Sequence, residues 1–249
     1  MNLHISYSQF RTKIVNKLHA VFNGQGYPEL KKSDLKNPET RRSYADRLLG
    51  NESAVYSAEI LMDNLDFMEL QIESIHKKIT EICLAHPNEA RSWLSIPGIG
   101  DITAATLIAY VGTGERFGAA AQLRNYVALI PKKDQSGNVD KQLGVSKFGC
   151  MPIRRHIMQG AWGIKTFKRD CSLTRYWKEL QERGKIGQKA SVAIANKMLT
   201  IGFALLKNGG TYEMPDQENY FRTKLVSYNL EALIDCPTAK KDNDKSSVK

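Results

Sequence analysis

The sequence predicts a mainly α fold, a coiled-coil helix followed by a helical domain that contains a helix-hairpin-helix. Three observations predict it. Apolar residues recur in alternating steps of four and three from Ala54 to Ile82. The pentapeptide Ile96-Pro97-Gly98-Ile99-Gly100 separates two helical runs, and no stretch alternates apolar and polar residues as a half-buried strand does. With 249 residues, 42% of them hydrophobic, the chain holds enough apolar surface for one or two compact cores.

The elements follow in order. Phe10, Ile14, Leu18, Val21 and Phe22 share one face of a first helix, Tyr7 to Phe22. Gly24, Gly26 and Pro28 stop it, and a second helix is expected from Pro38 to Leu49. Next comes the seam: Ala54, Ala58, Leu61, Leu65, Met68, Ile72, Ile75, Ile79 and Ile82. Four heptads of this kind call for a partner helix, from the same chain or from a second copy. Glu59, Asp63, Asp66, Glu69, Glu73, Lys77 and Lys78 fall off the seam and read as an exposed flank, not as metal ligands.

Asn88 and Glu89 open a short helix that ends at Ser95, where the hairpin begins. Ile102 to Val111 is rich in Ala and Ile and reads as a buried helix; Ala119 to Leu129 is a further helix, ended by Pro131. From Lys132 to Cys150 the periodicity disappears, and Gly137, Gly144 and Gly149 mark an irregular loop. Helices resume from Pro152 to Trp162, from Leu173 to Arg183 and from Gln188 to Leu206. The division expected is 1–50 an N-terminal helical segment, 51–88 the oligomerisation helix, 89–233 the domain with the hairpin, and 234–249 a polar, disordered tail.

Charge points to the partner. The formal net charge is +10, and between Ile130 and Lys189 fourteen cations face five anions, a local excess of +9. Such a concentration is the footprint of a polyanion, most often nucleic acid. Cys83, Cys150, Cys171 and Cys236 form no CxxC pair and read as reduced thiols. The N-terminus lacks a signal-peptide pattern and the longest apolar runs are short for a bilayer, so the expectation is a cytoplasmic protein with no membrane partner.

Two motifs carry the chemistry. In the hairpin, Gly98 and Gly100 are free to take positive φ, and the backbone N–H groups there, with the N-terminus of the following helix, suit a phosphate. Such contacts set position on a nucleic-acid backbone and read no bases. In the basic loop, Ser136 beside Gly137 and Ser146 beside Lys147 are both candidate nucleophiles, and composition does not choose between them. Attack on a phosphodiester needs cations to offset charge in the transition state, and Lys132, Lys133, Lys141, Lys147, Arg154 and Arg155 are the candidates.

The order Ile96-Pro97-Gly98-Ile99-Gly100, Thr103-Ala104-Ala105, Arg116-Phe117, Leu129-Ile130-Pro131, Ser136-Gly137, Ser146-Lys147-Phe148-Gly149, Ile153-Arg154-Arg155 and Lys197-Met198-Leu199 resembles the C-terminal transposase domain of the IS-one-ten (IS116/IS110/IS902-type) insertion-sequence family. The similarity runs from about Trp93 to Gly210, and the heptad helix resembles that family's coiled coil. The resemblance implies a DNA transposase or recombinase in which Ser136 forms a covalent link to DNA. It further implies homo-oligomeric assembly, here through residues 52–86, and a structured guide RNA. Gly98, Gly100, Lys132, Lys133, Lys147, Arg154 and Arg155 are the expected DNA contacts. Family members also carry an RNase-H-like domain whose four acidic residues bind magnesium. No residue here matches those carboxylates, so the expectation is an N-terminally truncated member with no metal or cofactor of its own. The alternative is a non-catalytic nucleic-acid-binding protein or regulator derived from a transposase.

Overall fold

A computed structural model describes residues 2–48, 50–129, 131–136, 139–145, 148–185 and 187–236. The protein is mainly α, and the chain divides into two compact units, Met1–Lys78 and Ile79–Lys249.

The first unit is built from α1 (Asn2–Gly24), a 3-10 turn (Asp34–Lys36), α2 (Pro38–Ala45) and most of α3 (Glu52–Ala85). Leu18 and Phe22 of α1, Leu30, Leu35 and Leu48 of the connections, and Ala58 and Leu65 of α3 form one core. Of the nine positions of the expected seam, Ala54, Ala58, Leu65, Ile72 and Ile79 are buried and Leu61, Met68, Ile75 and Ile82 are half-buried. Its covering comes from the same chain. α1 runs antiparallel to α3, with His4 meeting His76 edge to face near one end and Gln25 bonded to Asn51 at the other. α2 starts on a cap, the Asn37 side chain accepting from the Glu39 and Thr40 N–H groups, and ends at Ala45, short of the expected Leu49. From α2, Arg41 reaches inward almost fully buried. It donates to the Leu35 carbonyl at 3.1 Å and pairs with Asp66 and Glu69 of α3. Those two carboxylates, read from sequence as solvated flank, hold a buried guanidinium. The reverse side of α3 leaves Tyr56, Ile60, Phe67 and Leu70 exposed.

The second unit holds α4 (Pro87–Leu94), α5 (Asp101–Val111), α6 (Ala120–Val127), strands β1 (Pro131–Ser136) and β2 (Val139–Val145), then α7 (Met151–Ile164), α8 (Ser172–Glu182), α9 (Gly187–Asn208) and α10 (Gln217–Ser227), with a last 3-10 turn at Glu231–Leu233. α9 is its axis, in contact with α4, α6, α7 and α8. By length and composition α9 is apolar enough to cross a membrane, yet Ala190, Ile194, Ala195, Met198, Leu199 and Phe203 are spent on the core. At Gly202 it lies directly against the ring of Trp93, where an added Cβ would come within 1.8 Å of the indole. α6 ends at Ala128, which takes the left-handed conformation at φ 55° and lets the Leu129 N–H reach back to the Arg124 carbonyl.

One expectation is corrected and one element is new. The segment read as an irregular loop carries an antiparallel hairpin, β1 on β2, with Lys133 opposite Gln142 and Ser136 opposite Val139, and a bulge between Pro131 and Lys133. The strands Pro-Lys-Lys-Asp-Gln-Ser and Val-Asp-Lys-Gln-Leu-Gly-Val hold too few apolar residues to show a period of two. α10 was also unexpected: only Phe221 and Leu225 of it are buried, too few to write a helical stripe. Of the expected tail, 237–249 lie outside the described residues.

Candidate nucleic-acid interface

The hairpin joins α4 to α5. Its turn is closed by the Ile99 N–H bonding the Ile96 carbonyl at 3.2 Å, and Ile96, Pro97 and Ile99 are buried. Gly98 has φ +84°, and a Cβ there would lie 2.5 Å from the carbonyl oxygen of Gly160 in α7. The reverse holds too, since a Cβ on Gly160 would lie 2.3 Å from the Gly98 oxygen. Hairpin and α7 therefore touch backbone to backbone, which only two glycines permit. Gly100 lies beneath Tyr228, whose hydroxyl is 3.1 Å from where a Cβ would stand. α5 then begins at Asp101 with no side-chain cap.

A segment from Gly210 to Ile234 binds the hairpin from the other side. Ser92 Oγ donates to the Gly210 carbonyl, and Ser95 Oγ accepts from the Tyr212 N–H at 2.8 Å. Gln217 donates to the Ser95 carbonyl, and Arg91 donates to the carbonyls of Leu233 and Ile234. Lys224 of α10 places its ammonium on the carbonyls of Leu94, at 2.5 Å, and Ile96, at 3.1 Å. The Leu94 carbonyl belongs to the last turn of α4, the Ile96 carbonyl also accepts from the Ile99 N–H, and a cation there meets the negative end of the α4 dipole.

Several titratable groups around the hairpin are buried, and burial shifts them. Burial pushes the Lys224 ammonium down to about 7, against the opposing pull of Asp101. Burial, with Asp101 adding to it, pushes the Cys83 thiol up to about 12. Burial likewise raises Tyr220, to about 12, and Tyr228, where Asp101 again contributes. A thiol so raised is not a nucleophile at neutral pH.

The expected contacts fall in different surroundings. Gly98 meets Gly160, and Arg154 and Arg155 stand on the same helix, so α7 connects the hairpin to the arginine pair. The pair divides: Arg154 turns back, its Nε donating to the Val127 carbonyl at 3.0 Å, whereas Arg155 is exposed. Lys132 and Lys133 lie in β1, of which Ser136 is the last residue, and Lys141 lies in β2 opposite Asp134. Gly137, Ser146 and Lys147 lie outside the described residues. Sequence reasoning missed Gly160, Tyr228 and Lys224. A glycine inside a run otherwise fit for a helix was the available signal for the first; the other two sit on the element that left no stripe.

The chain resembles known proteins in this region. Residues 90–177 match the model of the transposase IS116/IS110/IS902 family. The pilin gene-inverting protein of Moraxella bovis is 27% identical over 177 residues, 70% of this chain and 55% of that protein. The transposase for insertion sequence element IS1111A of Coxiella burnetii is 37% identical over 120 residues, 47% of this chain and 33% of the relative. An uncharacterized 43.6 kDa protein of insertion element IS110 from Streptomyces coelicolor is 28% identical over 153 residues, covering 61% and 37%. The chain thus spans about half the length of these curated relatives, or less.

Proposed function

We infer that this chain, which carries a transposase domain of the IS116/IS110/IS902 family over residues 90–177, acts on DNA as a transposase or recombinase with Ser136 as its nucleophile. The family match carries the reading. A relative named for inverting a pilin gene supports recombination as the reaction class.

In the proposed step the Ser136 hydroxyl attacks a DNA phosphorus. An Oγ–P bond forms, one P–O bond of the strand breaks, and the leaving oxygen takes up the proton that the hydroxyl releases. The phosphodiester energy is kept in the protein–DNA link, so rejoining needs no further energy source. Lys132, Lys133, Lys147 and Arg155 offset phosphate charge, while the hairpin at Gly98 and Gly100, expected from sequence to touch phosphate, is packed against Gly160 and Tyr228 and serves to hold α7 in place. Arg154 acts through its hold on Val127, keeping the start of α7 in place beside α6.

Magnesium does not fit the described residues, among which no group of three or more His, Cys, Asp or Glu side chains could hold a metal ion. Metal chemistry would be supplied by a separate acidic domain acting in trans. A structured guide RNA remains part of the proposal as the source of target choice. Assembly with a second copy through residues 52–86 is proposed to use the exposed side of α3, Tyr56, Ile60, Phe67 and Leu70, because α1 and the α1–α3 connections already cover the seam.

The test is incubation of the chain with a nicked DNA target, RNA and an acidic domain supplied in trans. A denaturation-resistant protein–DNA species is expected, and Ser136→Ala should abolish it while DNA affinity changes less than about twofold. Equal adduct from the mutant removes Ser136 from the mechanism and leaves the non-catalytic binding protein as the reading.

A further inference from the structure

α7 has two faces of unusual character. Toward the core it turns Ile153, His156, Ile157, Gly160, Ala161 and Ile164, all buried. The opposite positions, in steps of four and three, are Met151, Arg155, Met158, Trp162 and Lys165, which helical geometry lines up on one side. Solvent-facing helix positions are ordinarily polar. Here Met151 is 56% exposed and Trp162 45%, and Phe148, just ahead of the helix, is 83% exposed. Arg155 and Lys165 are the charged members of the row, and α7 contains no acidic residue.

Both aromatic residues are presented from fixed points. Behind Phe148, the Cys150 N–H bonds the Tyr126 carbonyl at 2.9 Å, and Gly149 lies so close to α6 that a Cβ would stand 2.5 Å from that of Ala128. Beside Trp162, the start of α9 comes within van der Waals reach, a Cβ on Gly187 falling 3.6 Å from the indole edge. The Trp162 side chain is 45% exposed beside this point.

We propose that this outer face of α7, Phe148 through Met151 and Arg155 to Trp162 and Lys165, is a platform on which the unpaired bases of a single DNA strand stack. The occupant follows from the chemistry. Aromatic faces alternating with cations fit a polymer of flat bases on a phosphate backbone, and the +9 excess of the surrounding sequence makes a polyanion the matching partner. Bases in a duplex keep their faces stacked on one another and offer them to no side chain, so the apolar part of the face is used only by an opened strand. From Met151 to Lys165 the row is roughly 21 Å long, enough for several nucleotides. The choice of DNA rests on the transposase or recombinase reading proposed above.

The experiment measures binding of the full chain to a fluorescent 15-nucleotide thymidine strand, the corresponding duplex, and the RNA strand of the same sequence, at physiological salt. The DNA strand should bind at least tenfold more tightly than the duplex. Phe148→Ala and Trp162→Ala should each weaken single-strand binding about five- to a hundredfold and leave duplex binding unchanged. Phe148→Trp should restore it, and unchanged circular dichroism should accompany each variant. Equal losses on duplex and single strand, no loss on either, tighter binding of the RNA, or conversion of an oligomer to a monomer by Phe148→Ala would each overturn the platform. The Ser136-dependent adduct is measured on the same variants. Adduct formation with no effect of the two aromatics on single-strand binding sinks the platform alone; selective loss of single-strand binding in a chain that forms no adduct sinks strand transfer alone.

Discussion

The two faces of α7 carry different residues to opposite ends. On the inner face Gly160 lets the hairpin approach until backbones touch, and the interlocking continues through Met198 and the Gly210–Ile234 segment. On the outer face Trp162, Met151 and Phe148 are larger and more apolar, yet they bury little. Apolar area left in water is stabilisation forgone, about 25 cal/mol per Å². The most recognisable motif of a sequence need not be its exposed one: the hairpin organises the unit, and the helix it packs against carries exposed aromatic and basic side chains.

The contrast breaks first at Gly98. Gly98→Ala forces a Cβ into the Gly160 carbonyl at a φ that alanine resists, and about 3 kcal/mol or more of unfolding free energy should disappear. Urea denaturation reads this directly; a loss under 1 kcal/mol would mean that the backbone contact is not what joins hairpin to helix.

Lys224→Met tests the other side of the hairpin. It removes the donor from the Leu94 and Ile96 carbonyls, at an expected cost of about 1–3 kcal/mol, and it removes a pH dependence. In the folded chain Lys224 titrates near 7 instead of 10.5, so above pH 7 the unfolded chain holds the extra proton and stability rises with pH, by up to about 1.4 kcal/mol per unit. The rise should fade from about pH 9, where Cys83, ordinary at 9.0 and near 12 when folded, works in the opposite sense. A stability profile from pH 7 to 9 that is identical in the Met variant would remove Lys224 as the cause.

The smallest effect separates the arginines. Arg154→Ala should cost about 1 kcal/mol of stability through its bond to Val127, whereas Arg155→Ala should leave stability within about 0.5 kcal/mol and reduce the salt slope of DNA binding by about 1. The reverse pattern would exchange their roles.

The helices were legible because burial of one face writes itself into spacing: the seam from Ala54 to Ile79 and the apolar run of α5 needed no structure. The β1–β2 pair was not, since strands so polar leave no alternating signature, and α10 was not, since two buried residues make no stripe. Of the candidate site, the hairpin was visible as Pro97-Gly98-Ile99-Gly100. Its close partner Gly160 was hidden, because which glycine meets which is decided by the crossing of two helices. The division of Arg154 from Arg155 was equally hidden, for neighbouring residues on a helix point about 100° apart and only packing tells which one has a carbonyl within reach.

The bonds that tie Ser92, Ser95 and Arg91 to the Gly210–Ile234 segment join residues more than a hundred positions apart. A ribosome delivers the hairpin long before it delivers α10. Until then Ser95 and the end of α4 wait with their polar groups facing water, and contacts of such long sequence separation form late. Maturation of the hairpin is therefore timed by the last part of this unit to be synthesised, so a product interrupted before Lys224 would leave the ribosome with the motif present in sequence and its supporting shell missing.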